Sequence, residues 1–166
     1  MKPDSKWVQA PINALTMIAG FVVLLMMLHI VADVTGRMVF NHPIDGTTEI
    51  VSGYYMVAVI FFPLAYVCHN DGHILVELFT RHLPERRLAG LEAVIGFACL
   101  LFTVWFAWES VSTAWLSTLH NEQWETSQGL VTIWPSRWFL PIGLGMMAIY
   151  LLLRLIVDIR KAMSPK

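Results

Sequence analysis

Charge is scarce in this chain. Eleven Lys and Arg and twelve Asp and Glu are spread over 166 residues, so charged side chains make up 14%, against roughly 25% in soluble domains. A soluble domain of this size must cover much of its surface with polar groups, and too few are present. Cysteine is scarcer still: Cys68 and Cys99 are the only two, which excludes a disulfide scaffold. There is no basic block and the net charge is −1, which excludes a nucleic-acid binder. The sequence also lacks a glycine-rich phosphate loop, a His-Glu-x-x-His zinc motif and a Gly-x-Ser-x-Gly elbow. What is abundant is apolar surface. Hydrophobic residues reach 57% and mean hydropathy is +0.61, which excludes disorder and indicates a membrane protein.

A crossing needs about 20 mostly apolar helical residues. Trp7–Ala32 and Ile50–Asn70 contain no Asp, Glu, Lys or Arg. Two shorter runs, Ala93–Trp108 and Trp138–Leu153, reach spanning length if Glu92 and Arg154 snorkel toward water. The expected fold is an all-α integral membrane protein, one four-helix domain over 1–166 with spans near 11–33, 49–69, 87–110 and 137–158. The first run is too long for a signal-peptide core and has no convincing small-residue cleavage site before Asp33. Pro11 suits a first helical turn.

The basic residues are unevenly placed. Lys2, Lys6, Arg81, Arg86, Arg87, Arg154, Arg160, Lys161 and Lys166 fall on one side, and only Arg37 and Arg137 on the other. The positive-inside rule predicts cytoplasmic termini, and the outer side then carries six acids against two bases. Between the second and third spans, 73–83 has an apolar arc (Ile74, Leu75, Val76, Leu78, Phe79, His82, Leu83) opposite His73, Glu77, Thr80 and Arg81. Two readings stand: an interfacial amphipathic helix touching membrane lipids, or a helix packed on the bundle ends.

Outside, 109–136 is expected to be a loop rich in Trp. Six of the seven Trp lie between 105 and 138: Trp105, Trp108, Trp115, Trp124, Trp134 and Trp138. They read either as an interfacial belt or, for Trp115 and Trp124 amid polar residues, as a lid or docking surface. His120-Asn121-Glu122 marks a turn. At the outer ends, Asp33 and Arg37 are four apart on one helical face, and Glu49 follows Thr47-Thr48 where an acid suits a helix start. Arg37 and Glu49 are expected to meet across the short 38–48 connection, or else to be ordinary snorkelling charges.

Chemistry is thinly represented. A haem-binding or redox anchor needs two facing His at membrane depth, and only His29 has the depth. A thiol oxidoreductase needs paired Cys near the outer face, where Cys68 and Cys99 are not. His69, Asp71 and His73 alternate as a metal site does, but without a further ligand the spacing reads as a turn and its caps. A stand-alone small transporter needs an ionisable residue near mid-membrane, but Asp33, Glu49, Glu109, Glu92 and Arg154 all fall at span ends. No catalytic, cofactor or metal residue is expected, and a supporting subunit remains.

Ordered short motifs support that reading: Asp33-Val34-x-x-Arg37, Phe40-Asn41-x-Pro43-Ile44, Thr48-Glu49, Gly72-His73-Ile74-x-Val76-Glu77, Glu125-Thr126-Ser127-x-Gly129, Trp134-Pro135 and Pro141-Ile142-Gly143. In order and spacing the chain resembles, over about 11 to 158, the small (Q-type) permease subunit of tripartite ATP-independent periplasmic (TRAP) transporters. It departs at Phe61-Phe62-Pro63, where the family often has Gly; Pro63 is expected to kink the second span. The resemblance implies two protein partners, a large elevator-type TRAP permease subunit that carries sodium and substrate, and a periplasmic substrate-binding protein that delivers a carboxylate or sulfonate. It implies a non-catalytic scaffold without cofactor in the bacterial inner membrane. The residues expected at structural or partner interfaces are Asp33, Arg37, Glu49, His73, Trp115, Trp124, Arg137 and Trp138.

Overall fold

The computed structural model describes residues 6–71, 85–126 and 129–163. Among these, four helical segments are long and apolar enough to cross a membrane: Gln9–Val39, Thr47–Asn70, Val94–Leu119 and Trp134–Val157, called spans one to four here. The described residues are helical apart from one small β-hairpin and short connections, as an all-α membrane protein requires. The amphipathic stretch 73–83, with His73, lies outside the described residues.

Span one belongs to a single helix, Lys6–Val39, about 51 Å long at 1.5 Å per residue. Pro11 is inside this helix rather than at its start, because the helix begins five residues before the proline. Its end is built locally. Asn41 takes a left-handed conformation at φ 53, and the amides of Phe40 and His42 both donate to Gly36 O at 3.1 Å, closing off the last turn. Span two is segmented into Thr47–Ile50, a π turn over Val51–Tyr55, Met56–Phe61 and Leu64–Asp71. The break at 62–63 is the effect of Pro63, which has no N–H for the Val59 carbonyl and crowds it.

Span three lies in one helix from Glu85 to Leu119. The expected outer loop therefore begins only at 120, eleven residues later than 109, and Trp115 sits on a helix. The run 109–119 is interrupted by no Gly or Pro, and its Ser and Thr hydroxyls fold back onto the helix. Ser110, Ser112, Thr113 and Thr118 each donate to the carbonyl four residues earlier. A turn at His120-Asn121, with Asn121 at φ 47, leads into strands Gln123–Glu125 and Leu130–Thr132, paired antiparallel with Trp124 opposite Val131. A 3-10 turn, Trp134–Trp138, then starts the last helix, Phe139–Met163.

The spans form a layer. Span four packs between spans two and three, and span one lies against span two. One seam joins Ile12, Ala65 and Tyr150; a second joins Ala19, Ala58 and Phe62, with Phe139 against it. Both use small residues where helices approach closely, the usual currency of packing in lipid. Gly143 marks the tightest crossing. A Cβ there would overlap the Phe61 carbonyl oxygen and stand 2.7 Å from its carbon. Span three is patterned in reverse of a soluble helix: Thr103, Ser110 and Ala114 are buried, while Leu101, Trp105, Trp108 and Leu116 are exposed.

Candidate functional site

Among the described residues, a group of polar interactions gathers at one end of the layer, around the hairpin and the 38–46 connection. Asp33 is the organising residue of the connection. Its side chain is buried, its Oδ1 accepts the Ile44 amide at 2.8 Å, and its Oδ2 accepts Arg37 Nη2 at 3.2 Å. One carboxylate thus satisfies an amide eleven residues away and fixes how the chain turns toward span two. Arg37, whose side chain is 66% exposed, contributes far less. The expected Arg37–Glu49 contact is not formed: among the described residues the carboxylate facing Arg37 is Asp33, already one helical turn away. Glu49 lies in the first turn of Thr47–Ile50.

Asp33→Ala should lower chain stability by about 1–3 kcal/mol, since it leaves the Ile44 amide unmet, whereas Arg37→Ala should cost less than about 1 kcal/mol. Thermal melts of the purified variants in detergent check the order of the two.

The hairpin is held over the start of span two by contacts that are distant in sequence. Tyr54 donates its hydroxyl to Thr132 O at 2.6 Å. Ile133, 1% exposed, presses its Cδ1 onto Gly53, where a Cβ would come within 2.9 Å. Gly46, at φ +74, sits under Val131 and Thr126. Trp124 lies beside Gly53, its Cζ3 3.5 Å from where a Cβ would be. Its ring, half-buried, packs against the start of span two on this side. Trp115 is exposed on the extended helix.

The other side of the cap is a clamp. Arg137 Nε and Nη2 donate to Glu122 Oε2 and Oε1 at 3.1 and 2.6 Å, a bidentate pair whose geometry is stronger than a single contact. The Glu122 carbonyl also takes the amides of Ile133 and Trp134. The Arg137 guanidinium, then donors on Ser117, outweigh partial burial and hold the Glu122 carboxyl at about 2, well below its usual 4.5. Next to it, Trp138 donates Nε1 to Thr118 Oγ1 at 3.1 Å. These contacts tie the end of span three to the start of span four. The pairing of Glu122 with Arg137 escaped sequence reasoning; opposite charges flanking a turn-rich segment were the available signal.

His29 and His69 both pack against tyrosine rings. His29 Nδ1 lies 3.3 Å from the Tyr55 hydroxyl, with the rings edge to face, so its neighbour across the helices is a phenol rather than a second imidazole. His69 Nδ1 lies 3.2 Å from Asn70 Oδ1, and its ring meets Tyr150 edge to face. Cys68 is half-buried in span two and Cys99 exposed on span three. Among the described residues, no three His, Cys, Asp or Glu come together as a metal site would require.

What the geometry offers is a stapled layer of helices with a polar cap at one end. Searches of curated proteins and of solved structures returned no match. Residues 26–161 match the family model described as tripartite ATP-independent periplasmic transporters, DctQ component. That match spans most of the chain, including Asp33, Arg37, both hairpin strands and the Glu122–Arg137 clamp, and the chain belongs to this family of small TRAP transporter components.

Proposed function

We propose that the chain is the non-catalytic small subunit of a sodium-coupled TRAP transporter in the bacterial inner membrane, with both termini cytoplasmic. It enlarges the static scaffold of a large elevator-type permease and helps receive a periplasmic substrate-binding protein carrying an organic carboxylate or sulfonate. Sodium and substrate are bound on the large subunit, and this chain carries no cofactor. The observation that carries the scaffold role is the layer itself. Span four is gripped on both sides, at Gly143 by span two and at Thr118 and Glu122 by the end of span three. Such a unit resists internal sliding while a neighbour moves. The hairpin end, with exposed Glu125, Leu130 and Trp115, faces the periplasm in this orientation and offers an acidic, partly apolar surface to the delivery protein.

Reconstitution tests the reading. Sodium-gradient-driven uptake of a carboxylate or sulfonate ligand of the binding protein should require the large subunit, this chain and the binding protein together. Vesicles holding this chain alone should stay at background. Uptake by this chain alone would overturn the reading.

A further inference from the structure

The two edge helices of the layer expose very different surfaces. On span one the outward residues Met17, Phe21, Leu24, Leu28 and Val31 are aliphatic or Phe, and no charge interrupts 7–32. That composition is suited to lipid chains. On span three, Leu101, Trp105, Trp108, Glu109 and Leu116 fall within roughly 60° of Trp105 on a helix turning about 100° per residue. Trp105 and Trp108 are 71% and 72% exposed, and Glu109 is exposed beside them.

Glu109 was expected to end its span. Instead it sits ten residues inside a continuous helix that runs on to Leu119, within the segment apolar enough to cross a membrane. Its main-chain carbonyl accepts Thr113, but its carboxylate meets no cation among the described residues. Lipid chains cannot satisfy a carboxylate, and a charge on an apolar helix face needs a specific partner. Exposed Trp beside a charge is also the composition of protein interface hot spots.

Resting on the proposed role above, we infer that the Trp105–Trp108–Glu109 face of span three is where this chain docks the large permease subunit. The occupant is an apolar helix of that subunit bearing a Lys or Arg level with Glu109. Span one faces lipid.

The test is co-expression with the large subunit and affinity purification of the pair. A photo-crosslinking amino acid at position 105 should give an adduct with the large subunit, and the same probe at position 21 should not. Glu109→Lys should reduce the co-purified large subunit roughly tenfold or more by placing like charges together, whereas Glu125→Lys should leave it unchanged. Immunoblotting of membranes and circular dichroism check that the variants insert and fold. An adduct from 21 but not from 105, or wild-type recovery with Glu109→Lys, overturns the assignment; the second result would fit a lipid amine as the partner. If the wild-type pair itself does not form, it is the scaffold reading that fails.

Discussion

Gly143→Ala should be the most damaging conservative substitution in the chain. A methyl group at 143 would overlap the Phe61 carbonyl oxygen, stand 2.7 Å from its carbon and 3.1 Å from the Phe61 Cβ. The obstacle is largely main chain, so no rotamer change relieves it. Span two cannot simply retreat, because Phe62 and Tyr54 both meet the Phe139 ring edge to face and Ala58 is buried against Ala19. Overpacking of this kind costs about 1–3 kcal/mol, the upper part applying here, or a fall in melting temperature of roughly 5–10 °C. Gly145 provides the internal control. Nothing lies within 4 Å of a Cβ at that site, so Gly145→Ala should be neutral or stabilise by up to about 1 kcal/mol through helix propensity. Equal melting temperatures for the two variants would show that spans two and four do not cross at Gly143.

The second large effect concerns the clamp. The carboxyl of Glu122 titrates near 4.5 when unfolded and at about 2 in the folded chain. A group whose folded value is depressed stabilises above its unfolded value and loses that contribution as pH falls through the folded one. The cap should therefore be fully held above about pH 5 and loosen progressively toward pH 2. Glu122→Gln should remove this dependence and cost roughly 1–2 kcal/mol at neutral pH. The figure is kept modest because the Arg137 side chain is 41% exposed and water screens the pair. Amide hydrogen exchange across 123–138 is the direct readout: faster exchange in Glu122→Gln at pH 7, with little further change on acidification. If wild type and variant respond alike to acid, the clamp does not hold the hairpin.

Both effects depend on neighbours far apart in the chain, and this separates what was legible from what was not. Scarcity of charge in runs of sixteen to twenty-six residues was enough to locate four crossings, because membrane insertion depends on local composition. The Asp33–Arg37 pair was legible for a similar reason: four residues apart on a helix means one face. The turn at Asn121 and the break at Pro63 follow from the backbone preferences of single residues.

Which way each helix faces was not legible. In lipid, large apolar residues can lie outward and small or hydroxylated ones inward, as Trp105 and Ser110 do on one helix, so hydrophobicity no longer marks the core. For the same reason the polar setting of Trp115 and Trp124 suggested a loop. The structure instead puts Trp115 on an extended helix and folds Trp124 against Gly53. The pairing of Glu122 with Arg137, fifteen residues on, required the hairpin to bring the end of span three back to the start of span four. Local composition determined that this chain has four helices long and apolar enough to cross a membrane, with little charge inside them. Only the tertiary structure decided which charges pair, which stay exposed and which glycine must remain a glycine, because those depend on where distant backbone segments meet.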